Sequence, residues 1–228
     1  MSSRGLFSAI QELYPEEPGV PSAGPDELFM WEVYFQALTG FERIEQVTEL
    51  LATKRVVQHD RGRNLHVIVA DPEGGAVVVE PGENANTITT IDGEFIVMTN
   101  FCVGDFVGSE SEGIFGVGAD RYVVARDYLE EHASSLDLAG AFEVLERTSW
   151  DCTRASMVLA PERGEVYLAL DRDFDTIFRI SLEAMTVETY SGCDRPATWS
   201  IGHLGLPTKA LEELNPGFMA RVRRLLGI

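Results

Sequence analysis

The sequence predicts an α+β protein layered as helix, sheet, sheet and helix, a four-layered αββα sandwich with antiparallel sheets. Three features lead there. Residues 65–70 and 76–79 are almost continuously apolar and flank an Asp71-Pro-Glu-Gly-Gly75 turn. Such a turn between short runs signals an antiparallel hairpin, and a hairpin apolar on both faces needs cover on both. Helical stripes stand on either side of it, at 28–51 and 122–145, and four strand-like runs follow between residues 155 and 190.

From the N-terminus, residues 5–10 read as a strand, and the Pro/Gly-rich stretch 14–25 reads as a loop ending at Asp26, a good N-cap. Leu28, Trp31, Tyr34, Phe35 and Leu38 then recur at helical spacing until Gly40, and Ile44, Val47, Leu50 and Leu51 mark a second helix. Residues 55–63 are mostly polar and hold Arg55, Arg61 and Arg63, which reads as a solvated connection or, failing that, an anion-binding lip. Residues 87–91 and 95–98 form a second hairpin through Asp92-Gly93. Five glycines between 104 and 119 make a mobile loop there, a candidate lid. Tyr122, Ala125 and Leu129, then Leu138, Ala141, Phe142 and Leu145, give two more helices. Strands are expected at 155–160, 166–170, 177–181 and 185–190, and a short basic-ended helix at 216–226. With 228 residues and 45% apolar content, the chain reads as one domain, 1–228.

Charge excludes some partners. Against 18 basic residues stand 37 acidic ones, a formal charge of -19 spread along the chain. That field repels phosphate backbones and anionic lipids, so nucleic-acid binding is not expected. Neither a long apolar run nor a basic, apolar-cored leader is present, so no membrane association and a cytoplasmic location are expected. Cys102, Cys152 and Cys193 fit neither a disulfide framework nor a zinc site and read as reduced thiols. His59, His66, His132 and His203 lack metal-binding spacing, and no cofactor motif occurs. Asp171-Arg-Asp-Phe-Asp175 begins like a calcium loop, but Thr176 and Leu182 stand where Gly and Glu are demanded, so an exposed turn is expected.

The hairpin, with its Ala70-Asp71 strand end and its second strand ending at Glu80, resembles that of the cysteine N-terminal-nucleophile amide hydrolases, the family of choloylglycine hydrolase, penicillin V acylase and isopenicillin N acyltransferases. Thr99-Asn100-Phe101 resembles the family's Thr-Asn element, and Asp120-Arg121-Tyr122 its Arg-aromatic pair. The helix pair at 28–51 and the strand Ser3-Arg-Gly-Leu-Phe-Ser-Ala-Ile10 match in order, so the resemblance spans residues 1–170. It implies a sandwich of that type without its first strands, and a linear amide C–N hydrolase or acyltransferase acting on a small N-acyl amide without a cofactor. Unclosed sheet edges would favour association of copies.

The same resemblance gives two site residues. Asn100 would direct its side-chain amide at an oxyanion, although an Asn ending a strand also caps turns. Arg121 would stand near the nucleophile; otherwise it faces water or pairs with Asp120 or Asp127. The family's nucleophilic cysteine precedes the Gly-Leu strand, so it is expected upstream and is absent here. The chain is then the C-terminal portion of a longer enzyme, the product of a misplaced start, or a truncated, noncatalytic relative serving as a binding or association module. Ser2 and Cys102 are weak substitutes: the first stands on the wrong strand, and the second lacks a nearby His.

Overall fold

The computed structural model describes residues 5–14, 19–60, 62–82, 85–91, 93–203, 205–206 and 209–210. Ser2 to Arg4, Arg61, Asp92 and the helix expected at 216–226 lie outside them. The chain divides into two compact units, Met1–Leu136 and Asp137–Ile228.

The first unit holds β1 (Phe7–Glu12), β2 (Glu27–Phe29), α1 (Met30–Gly40), α2 (Ile44–Thr53), β3 (Arg55–Val57), β4 (Leu65–Ala70), β5 (Ala76–Glu80), β6 (Thr87–Thr90) and α3 (Ala119–His132). Its antiparallel sheet runs β1-β4-β5-β6, with Ala70 opposite Ala76 and Val67 opposite Val79 across the expected hairpin. Strand side chains alternate between faces. One face therefore presents Leu6, Val67, Val69, Val77 and Val79, which pack with Met30, Val33, Ala37, Val47 and Leu51 from α1 and α2. Each fully buried valine there contributes about 1.5–3 kcal/mol relative to an exposed one. The other face buries His66, Val78 and Glu80. Every residue of β5 is buried, as a strand covered on both sides requires.

Asp71 joins the hairpin to α2. Its Oδ1 accepts from Glu73 N at 3.0 Å and Gly75 N at 2.9 Å, closing the turn, while Oδ2 accepts from Ile44 N, the first residue of α2, at 3.1 Å. Asp26 does not cap α1. Glu32 does so instead, reaching back to accept from Phe29 N at 2.8 Å, because the short strand β2 intervenes between Asp26 and the helix.

Two other expectations are corrected. Residues 55–57 form β3, paired in parallel with β2, and Val56, Val57 and Gln58 are buried, so this stretch is not a solvated connection. Residues 95–98 form no strand, because β6 pairs with β5, Thr90 opposite Val77, and the following chain runs on to the site described below. The glycine-rich loop carries short 3-10 turns at Val103–Phe106 and Ser111–Gly113. Arg126 of α3 ties it down by donating to Ser109 O at 3.2 Å and to the Ser111 hydroxyl.

The second unit holds α4 (Leu138–Arg147), β7 (Ala155–Ala160), β8 (Glu165–Leu170), β9 (Asp173–Ser181), β10 (Thr186–Ser191) and β11 (Thr198–Ser200). They form α4 on an antiparallel sheet ordered β11-β10-β9-β8-β7, one short strand more than expected. Asp137 caps α4 by accepting from Gly140 N at 2.8 Å. Phe142 packs on Tyr167, Ala169 and Ile177, while Val166, Phe178 and Val187 are buried on the opposite face. Asp171 and Arg172, with φ of 53° and 64°, make the β8–β9 turn, so the alternating aspartates sit on a hairpin, as expected.

Candidate active site

The two residues singled out by the sequence meet. Arg121 Nη2 donates to Asn100 Oδ1 at 2.6 Å. Asn100 Nδ2 donates to Glu12 O at 2.8 Å, and the Asn100 carbonyl accepts from Tyr14 N at 2.8 Å. Asn100 is thus fixed between the end of β1 and the start of α3, while Asp127 pairs with Arg126 at 3.0 Å.

Gly118 permits this approach. It precedes α3 with a φ of 83°, in the left-handed region that glycine enters without steric cost. A Cβ there would stand 2.7 Å from Arg121 Nη2 and 3.2 Å from Thr99 Cβ. The guanidinium and Thr99 therefore fill the space a side chain would take.

Beneath Asn100 lies a buried network that the sequence reading missed. His66 Nδ1 is 3.0 Å from Glu80 Oε1, and His66 Nε2 is 2.6 Å from the Thr99 carbonyl. Glu80 also accepts from Val103 N at 2.8 Å through Oε1 and from Gly104 N at 2.9 Å through Oε2. Segment 99–104, which carries Asn100, is therefore tied to the sheet at both ends. A Cβ on Gly104 would come within 2.5 Å of the Thr87 methyl, so only glycine lets the chain lie this close. Thr99 Oγ1 and Gln11 Oε1 are buried without a hydrogen-bond partner among the described residues. Buried polar atoms of that kind are uncommon.

Beside the pair opens a cavity of about 580 Å³, lined by Tyr14, Phe101, Phe106, Phe115 and Val117 with Cys102 and Asp105. Phe106 stands edge-on to Phe101 and to Phe115, at centroid distances of 5.2 and 5.0 Å, and Phe101 stands edge-on to Tyr122 at 5.1 Å. The Tyr14 hydroxyl donates to Glu12 Oε2 at 2.7 Å. That bond, followed by the one from Arg63, holds the Glu12 carboxyl below its ordinary value. Cys102 is half-buried and forms no disulfide. Cys193, in the second unit, has its thiol pushed up by burial and then by Asp173 and Asp194.

No protein-family model matches the chain, and no curated protein matches it by sequence. Among solved structures it is similar to penicillin V acylase from Agrobacterium tumefaciens, with 15% identity, 83% of this chain and 69% of the acylase covered, and a TM-score of 0.59. A variant of conjugated bile acid hydrolase from Clostridium perfringens aligns at 14% identity over 89% of this chain and 78% of its own, with a TM-score of 0.48. The acylase likeness establishes a shared fold of helices and antiparallel sheet. No helix among the described residues is long and apolar enough to cross a membrane.

Proposed function

We propose that the chain belongs to an amide hydrolase of the N-terminal-nucleophile type, cleaving the C–N bond of a small N-acyl amide. The hydrogen bond between Asn100 and Arg121, beside an aromatic cavity on an acylase-like fold, carries this reading. The four-layered αββα sandwich is part of the proposal.

Amide cleavage through a tetrahedral intermediate needs donors where the oxyanion develops. An Asn amide nitrogen carries two hydrogens, and one of those on Asn100 is spent on Glu12 O. The second serves the oxyanion. Arg121, held on Oδ1, fixes which end of the amide is nitrogen and places positive charge beside developing negative charge. The aromatic cavity receives one side of the substrate and excludes water. The attacking group is a nucleophile whose own free α-amine takes its proton, an amine that titrates near neutrality. The family resemblance assigns it to a cysteine ahead of the Gly5-Leu6 strand.

One observation favours a second reading. Both ends of the Asn100 side chain are engaged within the protein, which also suits a noncatalytic relative in which Asn100 only ties β1 to α3. Release of amine from a panel of N-acyl amides, by protein purified from its native cells, separates the two. Turnover of at least one member supports the hydrolase, whereas none across the panel leaves the binding module.

A further inference from the structure

The cavity beside Asn100 has an aromatic lining with one acidic residue. Phe101, Phe106, Phe115 and Tyr14 line it together with the acidic Asp105, and no Lys, Arg or His lines it among the described residues. The loop from Gly104 to Gly118 that builds its outer wall holds Asp105, Glu110 and Glu112 and no basic residue. Two cations approach this region from α3, and both are engaged: Arg121 on Asn100 Oδ1, and Arg126 on Asp127 at 3.0 Å and Glu130 at 3.4 Å. Asp105 enters none of the ion pairs among the described residues.

Aromatic faces attract cations through their quadrupoles, most strongly where water is partly excluded. A carboxylate at the same cavity adds direct Coulomb attraction. The chain as a whole, at a formal charge of -19, concentrates cations and repels anions. We propose that this cavity binds an organic cation, an ammonium group carried on an aryl or alkyl body. Phe115 lines the cavity and is 74% exposed, which leaves its ring accessible to the ammonium. As a statement about substrate, that the amide cleaved carries a positive charge, this rests on the hydrolase reading; as a statement about binding it does not.

Three soluble probes of similar size and different charge test it: phenethylammonium, 2-phenylethanol and phenylacetate. Calorimetric titration of the full chain at low ionic strength should rank them in that order, with the ammonium bound about tenfold more tightly than the alcohol. Asp105→Asn should remove most of that preference and leave the alcohol unchanged. Phe115→Leu, at an exposed position where folding is not at stake, should weaken the ammonium by about fivefold. Raising salt to about 1 M should compress the ranking, because screening acts on the charged probes alone. Equal or tighter binding of phenylacetate, or an ammonium affinity insensitive to both substitutions, overturns the proposal. Ammonium binding without turnover of any amide removes the hydrolase reading and leaves the cation site standing. Turnover that prefers anionic amides removes the cation site and leaves the hydrolase.

Discussion

His66 fixes the proton count of the network under Asn100. The Thr99 carbonyl can only accept, so Nε2 carries a hydrogen. A second proton must lie between Nδ1 and Glu80 Oε1, 3.0 Å apart, since two bare acceptors would repel. Both side chains are buried, 0% and 1% exposed, so each depends on the other and on nearby backbone for its hydrogen bonds. Glu80→Ala would strand the imidazole and the amides of Val103 and Gly104 at once. Removing one partner of such a buried pair costs about 3–5 kcal/mol, and urea unfolding should show a loss of that size. A loss below about 1 kcal/mol would mean that the segment is held elsewhere.

Elements show why some of the fold was legible and some was not. The β4–β5 hairpin announced itself because Asp71-Pro-Glu-Gly-Gly75 interrupts a continuous apolar run, and the register then follows from the turn. Counting back from Ala70 opposite Ala76 sets His66 beside Glu80, so that pairing follows from the hairpin register, although the spacing of the histidines along the chain gives no sign of it. The β2–β3 pair had no such signal, because three-residue strands joined in parallel across α1 and α2 leave no local pattern. The meeting of Asn100 with Arg121 depends on Gly118 and the close approach around it, and only the resemblance to a family marked either residue. Asp71 makes the element-scale prediction. Replacing it with Ala releases three backbone N–H groups, one at the start of α2 and two in the turn. It should lower stability by about 1–2 kcal/mol in chemical denaturation, the range of a lost helix cap. A neutral outcome would show that water satisfies those amides.

At the scale of the whole molecule, each unit is a sheet backed by helix, and the two site residues belong to one unit, Met1–Leu136. Asn100 is drawn from the chain crossing one face of that unit's sheet, and Arg121 from the helix after the glycine-rich loop. The site is thus assembled by the loop that also walls the aromatic cavity. The strong negative charge serves the same region by favouring what the cavity lining favours. Functional reading and fold therefore meet at Asn100, and one comparison addresses it directly: kcat for the best amide of a panel, measured for the native-source protein and for Asn100→Ala alongside their thermal midpoints. An oxyanion donor predicts a fall in kcat of about 10²–10³ with KM little changed and the midpoint lowered only modestly. An unchanged kcat, or a fall wholly matched by unfolding at the assay temperature, would contradict a role for Asn100 in the chemistry.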